Sequence, residues 1–136
     1  MFTDAYDILI FDNEQQILKT FKSFDARIVF GAEYYCNPVK SIAERFPILE
    51  EGQKRFLNSG GYIGYLKDVY AIIAHIIENQ KIKPHDSDQF HFQRVYLNET
   101  LRQKHKIQLD HSSKLFFNIY GSAEEAEFHC KQGTLR

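Results

Sequence analysis

Residues 56–80 read FLNSGGYIGYLKDVYAIIAHIIENQ, and they predict a strand, a glycine turn, a second strand and a long helix. The paired glycines predict the turn because glycine admits backbone angles that other residues resist. The helix is predicted from Lys67 to about Gln80, because apolar residues recur there at helical spacing. They form one stripe that must face a core: Val69, Ile72, Ile73, Ile76 and Ile77.

Short apolar runs and amphipathic stretches alternate along the rest of the chain. Further strands are predicted at Tyr6–Ile10, Ala26–Phe30, Ile107–Leu109, Leu115–Phe117 and Ala126–Cys130. Further helices are predicted at Glu14–Phe24, at Ser41–Phe46 with a serine cap, and at Asp88–Asn98. Since strands and helices alternate, the sequence predicts one α/β domain with a mostly parallel sheet covered on both faces.

The composition is that of one folded domain that recognises its ligands locally. The 136 residues are 43% hydrophobic and 15% aromatic, which is enough to bury a core. With 17 basic and 18 acidic residues, the chain has no field that would attract nucleic acid or anionic lipid non-specifically. No apolar run approaches the roughly 20 residues of a membrane span, so we expect peripheral membrane association at most.

The two cysteines, Cys36 and Cys130, lie far apart and form no CxxC pair. That spacing argues against a structural zinc site or a thioredoxin-like motif. We expect buried thiols, because small disulfide-stabilised domains carry more cysteines, although a disulfide between these two stays open.

Two aspartates near the start form the first candidate site. Asp4 and Asp7 stand three residues apart, where a strand could run out into a loop. Paired carboxylates at a strand end can bind Mn²⁺ or Mg²⁺ and leave coordination places for diphosphate oxygens. The alternative is an ordinary solvated loop.

Two further polar clusters could bind a ligand. Asn58–Gly61 could let backbone amides and the asparagine side chain approach a sugar or phosphate closely, and the alternative is an ordinary tight turn. His85–Gln89 concentrates polar groups before a helix, where Asp88 could simply cap the helix.

Several motifs occur in a fixed order along the chain. They are FTDAYD at 2–7, FGAE at 30–33, KRFLNSGGYIGY at 54–65, DSDQ at 86–89, and LDH at 109–111 with Phe117, Asn118 and Gly121. Together they resemble the glycosyltransferase domain of procollagen lysyl hydroxylases over nearly the whole chain. The resemblance implies a type A glycosyltransferase-like α/β fold, a mixed sheet flanked by helices, that uses Mn²⁺ and a UDP-sugar.

The resemblance also implies roles for individual residues. Asp4 and Asp7 match the family's metal-binding aspartates, and Tyr6 between them would lie by the nucleotide. Asn58, Gly60 and Gly61 would shape the sugar subsite. The acidic run implies catalytic roles for Asp86 and Asp88, with Ser87 and Gln89 lining the donor and acceptor pocket.

The resemblance further implies a multifunctional parent protein in the endoplasmic reticulum lumen, acting as a homodimer. Its glycosyltransferase would transfer a hexose from UDP-glucose or UDP-galactose to collagen hydroxylysine. Its dioxygenase domain, with Fe(II), 2-oxoglutarate and ascorbate, is expected outside residues 1–136. The upstream nucleotide-binding strands and a downstream metal-binding histidine segment are expected outside them too, so we predict that the isolated chain is inactive.

Two positions depart from the family pattern. Ser87 interrupts the acidic run, and Asn37 stands where some members carry tryptophan. Either change could alter the donor pocket. The alternative function is therefore a catalytically silent accessory domain that supports the dioxygenase.

Overall fold

The computed structural model describes residues 1–5, 8–122, 130–131 and 134–135. The strands are β1 (Phe2–Thr3), β2 (Ile28–Glu33), β3 (Phe56–Gly64), β4 (Ile107–Asp110), β5 (Cys130–Lys131) and β6 (Thr134–Leu135). The α-helices are α1 (Glu14–Lys22), α2 (Leu66–Asn79), α3 (Asp88–Leu97) and α4 (Glu99–Lys104), and a 3-10 helix spans Lys40–Arg45.

The main sheet is mixed, in the order β1-β3-β2-β4. β3 runs antiparallel to both β1 and β2, whereas β4 runs parallel to β2. The α/β fold with a mixed sheet and flanking helices is confirmed, but the expectation of a mostly parallel sheet is wrong for the described strands. Parallel neighbouring strands need a crossover connection, usually an α-helix. The segment between β2 and β3 contains only a 3-10 helix, and β3 runs antiparallel to β2.

Each face of the sheet carries a hydrophobic core. The larger core lies under α2 and α3, which bury Ile72, Ile76, Phe92, Val95 and Tyr96 there. The smaller core lies under α1, which buries Phe21 against Val29 and Ile63. The predicted stripe of α2 is confirmed except at Ile77, which is 65% exposed.

The stretch from Phe56 to Gly64 is one strand, so the predicted glycine turn is wrong. Gly60 and Gly61 are not among the glycines with positive φ, which are Gly52 and Gly121. Instead, the pairing with β2 jumps, because Phe30 pairs with Tyr62 while Gly31 pairs with Asn58. Residues 59–61 of β3 therefore bulge out of the β2 ladder.

Other predicted elements differ from the structure in ways that burial explains. Ile8, Leu9 and Ile10 are 40 to 65% exposed and form no strand, so the prediction at Tyr6–Ile10 is wrong for them. Tyr6 and Asp7 lie outside the described residues.

The segment at 115–117 is not a strand either. The backbone N–H groups of residues 114, 115 and 116 donate to the buried carboxylate of Asp110, at 2.8, 2.6 and 2.9 Å, instead of to a neighbouring strand. Of the strand predicted at Ala126–Cys130, residues 126–129 lie outside the described part, and Cys130 is in β5.

The predicted helix at 41–46 is a 3-10 helix that begins one residue earlier, after Val39. Val39 has no capping side chain, so the predicted serine cap is wrong. Cys36 is a buried free thiol, as expected, and burial raises its pKa. The side chain of Cys130 lies outside the described part of the structure. Among the described residues, no helix is long and apolar enough to cross a membrane.

An ionic cluster around the buried Asp68 of α2 includes Arg27, just before β2, and His105, just after α4. The Asp68 carboxylate accepts hydrogen bonds from Arg27 Nε at 2.7 Å and pairs with His105 Nδ1 at 2.9 Å. Burial opposes ionisation of Asp68, but the hydrogen bonds from Arg27 and His105 outweigh it, so the pKa of Asp68 is lowered.

Candidate functional site

The β3 bulge is the centre of the candidate site, because its main-chain groups bond to α3, to the segment after β1 and to the side chain of Asn58 in β3 itself. Ser59 N donates to Gln89 Oε1 of α3 at 3.1 Å, and Gly60 N donates to Asn58 Oδ1 at 2.9 Å. Gly60 O accepts from Asp4 N, just after β1, at 2.9 Å. The bulge thus brings Asp4, Asn58, Gly60 and Gln89 together.

Asp4 presents its carboxylate to the space above Gly60. A Cβ added to Gly60 would lie 2.9 Å from Asp4 Oδ2 and 3.0 Å from Asn58 Oδ1. Glycine at this position therefore leaves room for two oxygen atoms to converge. Asp4 is exposed and lines a cleft of about 570 Å³, together with Glu33, Asn58, Gly60 and Gly61.

Glu33, at the end of β2, is a site residue that the sequence reasoning missed. Its side chain is 5% exposed and hydrogen-bonds with Gln89 and Asn58. Burial raises the pKa of Glu33, although these two hydrogen bonds oppose the shift. The signal was available, because a glutamate that ends the apolar run IVFGA is unusual in a buried strand.

The raised pKa of Glu33 predicts a pH dependence of stability. A folded-state pKa above the unfolded value means that Glu33 contributes its stabilisation at low pH and loses it as pH rises through the folded pKa. Glu33→Gln, which cannot ionise, should therefore lose less stability than the parent between pH 4 and pH 8, measured by urea unfolding. An unchanged pH slope in this variant would contradict the prediction.

Gln89 connects α3 to the end of β2 and to the β3 bulge. Its Nε2 donates to Glu33 Oε1 and to Asn37 O, both at 2.8 Å, and its Oε1 accepts from Ser59 N. Gln93, one turn later and fully buried, also donates to Asn37 O at 2.7 Å. Gln89 was predicted to bind substrate, but in the structure both its amide oxygen and its amide nitrogen form hydrogen bonds within the protein.

The acidic segment 86–88 lies beside the bulge at the start of α3. Asp88 Oδ1 accepts a hydrogen bond from Ser59 Oγ at 3.3 Å. Burial raises the pKa of Tyr62, and the nearby charge of Asp88 raises it further. Asp86 Oδ2 accepts from Lys83 N at 2.9 Å, and Ser87 is exposed before the helix without a capping bond. Asp86, Ser87 and Asp88 are not among the described residues that line the cleft around Asp4, and Asp88 reaches only the bulge, through Ser59.

The wall of the cleft opposite Asp4 is the segment after β4. Lys54, 2% exposed, donates to Asn118 O at 3.1 Å, and Asn118 Nδ2 donates to Ala32 O at 2.8 Å. This anchoring brings the ring of Phe116 so close to Gly61 that an added Cβ would lie 2.5 Å from Phe116 Cδ1. Gly61 thus shapes the cleft by admitting the ring.

Gly61→Ala should destabilise the fold by about 1–3 kcal/mol, because the new methyl group overlaps the Phe116 ring and forces it to move. Gly31→Ala is the matched control in the neighbouring strand, since its Cβ would meet the nearest atoms at 3.4 Å. Urea unfolding of both variants measures the difference. Equal stability of the two variants would show that the ring relaxes freely.

The oxygen donors near Gly60 fit a hard divalent cation, for which carboxylate and amide oxygens are suitable ligands. Asp4 and Asn58 supply two such oxygens in one place. Asp7 and Tyr6, the other two predicted residues of this motif, lie outside the described residues. Within the described part of the chain, no three His, Cys, Asp or Glu side chains form a metal-binding group.

A mixed α/β sheet with flanking helices is consistent with a type A-like glycosyltransferase domain, and here a glycine bulge borders a largely apolar cleft that also contains Asp4, Glu33 and Asn58. The family model described as the PLOD GT domain matches residues 1–136. The chain therefore belongs to the family of glycosyltransferase domains of procollagen lysyl hydroxylases, as the motif order indicated.

Curated relatives agree with this assignment. The chain is 38% identical to a procollagen-lysine,2-oxoglutarate 5-dioxygenase of Drosophila melanogaster, and it is 38% identical to the human multifunctional procollagen lysine hydroxylase and glycosyltransferase LH3. A multifunctional procollagen lysine hydroxylase and glycosyltransferase of Caenorhabditis elegans is 37% identical. These alignments cover 97 to 100% of the chain but only 18 to 19% of each relative.

Proposed function

We propose that this chain contributes part of a Mn²⁺-dependent glycosyltransferase site that transfers a hexose from UDP-glucose or UDP-galactose to collagen hydroxylysine. Family membership supports the glycosyltransferase class, and the names of the relatives support a collagen acceptor. The observation that carries the proposal is the convergence of Asp4 Oδ2 and Asn58 Oδ1 above Gly60, inside a cleft of ligand-binding size.

In this proposal Asp4 and Asp7 hold the metal ion, which when bound supplies positive charge to the departing diphosphate. Tyr6 lies by the nucleotide. Gly60 and Gly61 shape the sugar subsite by admitting the Asp4 carboxylate and the Phe116 ring, and Asn58 orients the sugar. Glu33, held by Gln89 and Asn58, supplies a buried carboxyl group that can accept a hydrogen bond from a sugar hydroxyl.

Asp86 and Asp88 have the proposed role of orienting the acceptor hydroxyl, with Ser87 and Gln89 beside them. The hydrogen bond between Asp88 and Ser59 supports this role, because it joins the acidic segment to the bulge that borders the cleft. In this proposal the acceptor approaches from the side of α3, where Asp88 bonds to Ser59 of the bulge.

The experiment that tests the function is a joint titration of Mn²⁺ and UDP into the complete domain, followed by a transfer assay with a hydroxylysine-containing collagen peptide. Binding of UDP that depends on Mn²⁺, together with hexose transfer, supports the proposal. A folded domain that binds neither would instead favour the accessory role, which the interruption by Ser87 and the asparagine at 37 suggest.

The wider setting is also a proposal. Dioxygenase chemistry with Fe(II), 2-oxoglutarate and ascorbate would belong to another part of the same polypeptide, in keeping with the names of the relatives. The proposed location is the endoplasmic reticulum lumen, where procollagen would be available, and the proposed assembly is a homodimer.

A further inference from the structure

Lys54 bridges the two ends of the segment that forms the far wall of the cleft. This wall segment, residues 111–118, follows β4 directly. The main chain of Lys54 meets its first residue, because Lys54 N donates to His111 O at 3.1 Å and Lys54 O lies 2.7 Å from His111 Nδ1. The side chain of Lys54 meets its last residue, because Nζ donates to Asn118 O at 3.1 Å. The residues of this segment that line the cleft are Ser113, Lys114, Leu115, Phe116, Phe117 and Asn118.

The ammonium group of Lys54 also lies against aromatic rings. Its Nζ lies 3.9 Å from the centroid of the Phe117 ring and 5.6 Å from that of Tyr34. An ammonium group over a ring face is attracted by the electron density of the ring, and the attraction grows when water is excluded. Lys54 is 2% exposed. Its ammonium group therefore restrains a side chain of the wall segment as well as its main chain.

The middle of the wall segment is held independently of the Lys54 side chain. The backbone N–H groups of residues 114–116 donate to the buried carboxylate of Asp110. A change confined to the Lys54 ammonium group thus leaves these bonds and the main-chain contacts with His111 in place. It loosens the far end of the segment, at Phe117 and Asn118.

We propose that Lys54 is a positioning residue, which keeps the wall segment ordered before the UDP-sugar donor binds. This inference rests on the proposed function of the cleft. Lys54 is not among the described residues that line the cleft, so it acts through Phe117 and Asn118 instead of touching the donor. A wall that is already ordered spares the donor the cost of immobilising it, so a loss of this order weakens binding.

Steady-state kinetics of the complete domain test the consequence for the donor. Lys54→Met keeps an unbranched apolar side chain but removes the charge and the hydrogen-bond donor. It should raise KM for the UDP-sugar about tenfold, the order of one hydrogen bond from a charged group, and change kcat by less than about threefold. This split is expected because Asp4 and Asp88, the groups proposed to meet the metal and the acceptor, keep their contacts.

Two further lysine variants are the controls. Lys54→Arg retains a cation that can donate to Asn118 O and stack on Phe117, so it should recover most of the loss in KM. Lys67→Met makes the same substitution at an exposed lysine of α2 and should keep the KM of the parent. The proposal is overturned if Lys54→Met has the KM of Lys67→Met, if its loss lies in kcat alone, or if a folded Lys54→Arg recovers nothing.

Amide hydrogen exchange tests the order of the wall segment without any catalysis. The amides of Leu115 and Phe116, which donate to Asp110, should exchange at least about tenfold faster in Lys54→Met, because the segment opens more readily from its freed end. The amide of Val29, a fully buried residue of β2, is the reference for the whole fold. A fold that is only weaker everywhere would speed Val29 equally, and that result, like unchanged rates at 115 and 116, would contradict the proposal.

Phe117→Leu is a second variant for the case in which Lys54→Met does not fold. The Phe117 side chain is 44% exposed, so the fold should persist while the ring beside the ammonium group is lost. KM for the UDP-sugar should rise about threefold, and the Phe116 amide should exchange faster relative to that of Val29. Parent values of both quantities in this variant would count against Lys54 as a positioning residue.

The role of Lys54 and the proposed function can fail separately. If the parent domain transfers no hexose, the proposed function fails, whereas the exchange rates still decide whether Lys54 orders the wall segment. If transfer occurs and the exchange rates at 115 and 116 do not respond to Lys54→Met, the glycosyltransferase function stands and the role of Lys54 is wrong.

Discussion

Asp4→Asn is expected to lower Mn²⁺-dependent hexose transfer by at least about 100-fold in the complete domain. A bound divalent ion is worth several kcal/mol to a developing charge, and each 1.4 kcal/mol changes a rate tenfold. The substitution keeps the shape of the side chain, and the hydrogen bond to Gly60 O comes from the main chain of Asp4, so β1 should stay in place. Transfer rates and Mn²⁺ titrations measure the effect.

Asp25→Asn is the control for this variant, because Asp25 is an exposed aspartate, at the far side of α1, with positive φ that asparagine tolerates. It should retain full activity. Gly60→Ala is an independent test of the role of the Asp4 carboxylate. The added methyl group would lie 2.9 Å from Asp4 Oδ2 and displace it. An Asp4→Asn enzyme with activity within a few-fold of the parent would exclude the proposed metal role.

Asp68→Ala is expected to cost about 3 kcal/mol of unfolding free energy. Removal of one member of a buried ion pair leaves its partners without compensation, and His105 is itself 7% exposed. We take the lower end of the range for such pairs, because the Arg27 side chain is 44% exposed. Urea unfolding at pH 7 measures the loss.

Glu78→Ala is the matched control on the same helix, because Glu78 is an exposed carboxylate, and it should change stability by less than about 0.5 kcal/mol. The effect should also depend on pH. Since the folded-state pKa of Asp68 is lowered, its contribution is complete above the unfolded value of about 3.9 and is lost as pH falls through the folded value. Asp68→Ala should therefore flatten the acid side of the stability profile, and an unaltered profile would contradict the assignment.

Periodic patterns predicted the helices well and the short strands poorly. The stripe at Val69, Ile72 and Ile76 predicted α2 correctly, because residues at this spacing share one face only when the segment is helical, and that face packs on the larger core. Ile8–Ile10 have similar apolar density, yet they form no strand, since density alone does not provide a pairing partner. β1 is two residues long and exists through its pairing with Tyr62 and Gly61, which no local pattern reveals.

The candidate site was predictable where family motifs name residues and unpredictable where the fold supplies contacts. Asp4, Asn58, Gly60 and Gly61 were predicted, and they line one cleft. Glu33 was missed because its role depends on Gln89, which is 56 residues away in sequence. Gly60 and Gly61 were interpreted as a turn, whereas the close approach of Asp4 and Phe116 explains the absence of side chains there.

The number of residues in the β3 bulge has a consequence for the side chains beyond it. Tyr62 and Leu57 are five positions apart, so in a regular strand they would point to opposite sides, yet both belong to the larger core. The surplus of three residues, an odd number, restores the agreement. The bulge thus lets a single strand place Leu57 and Tyr62 in one core while its surplus residues border the cleft, so an insertion or deletion at 59–61 should disturb the cleft and the packing of the core together.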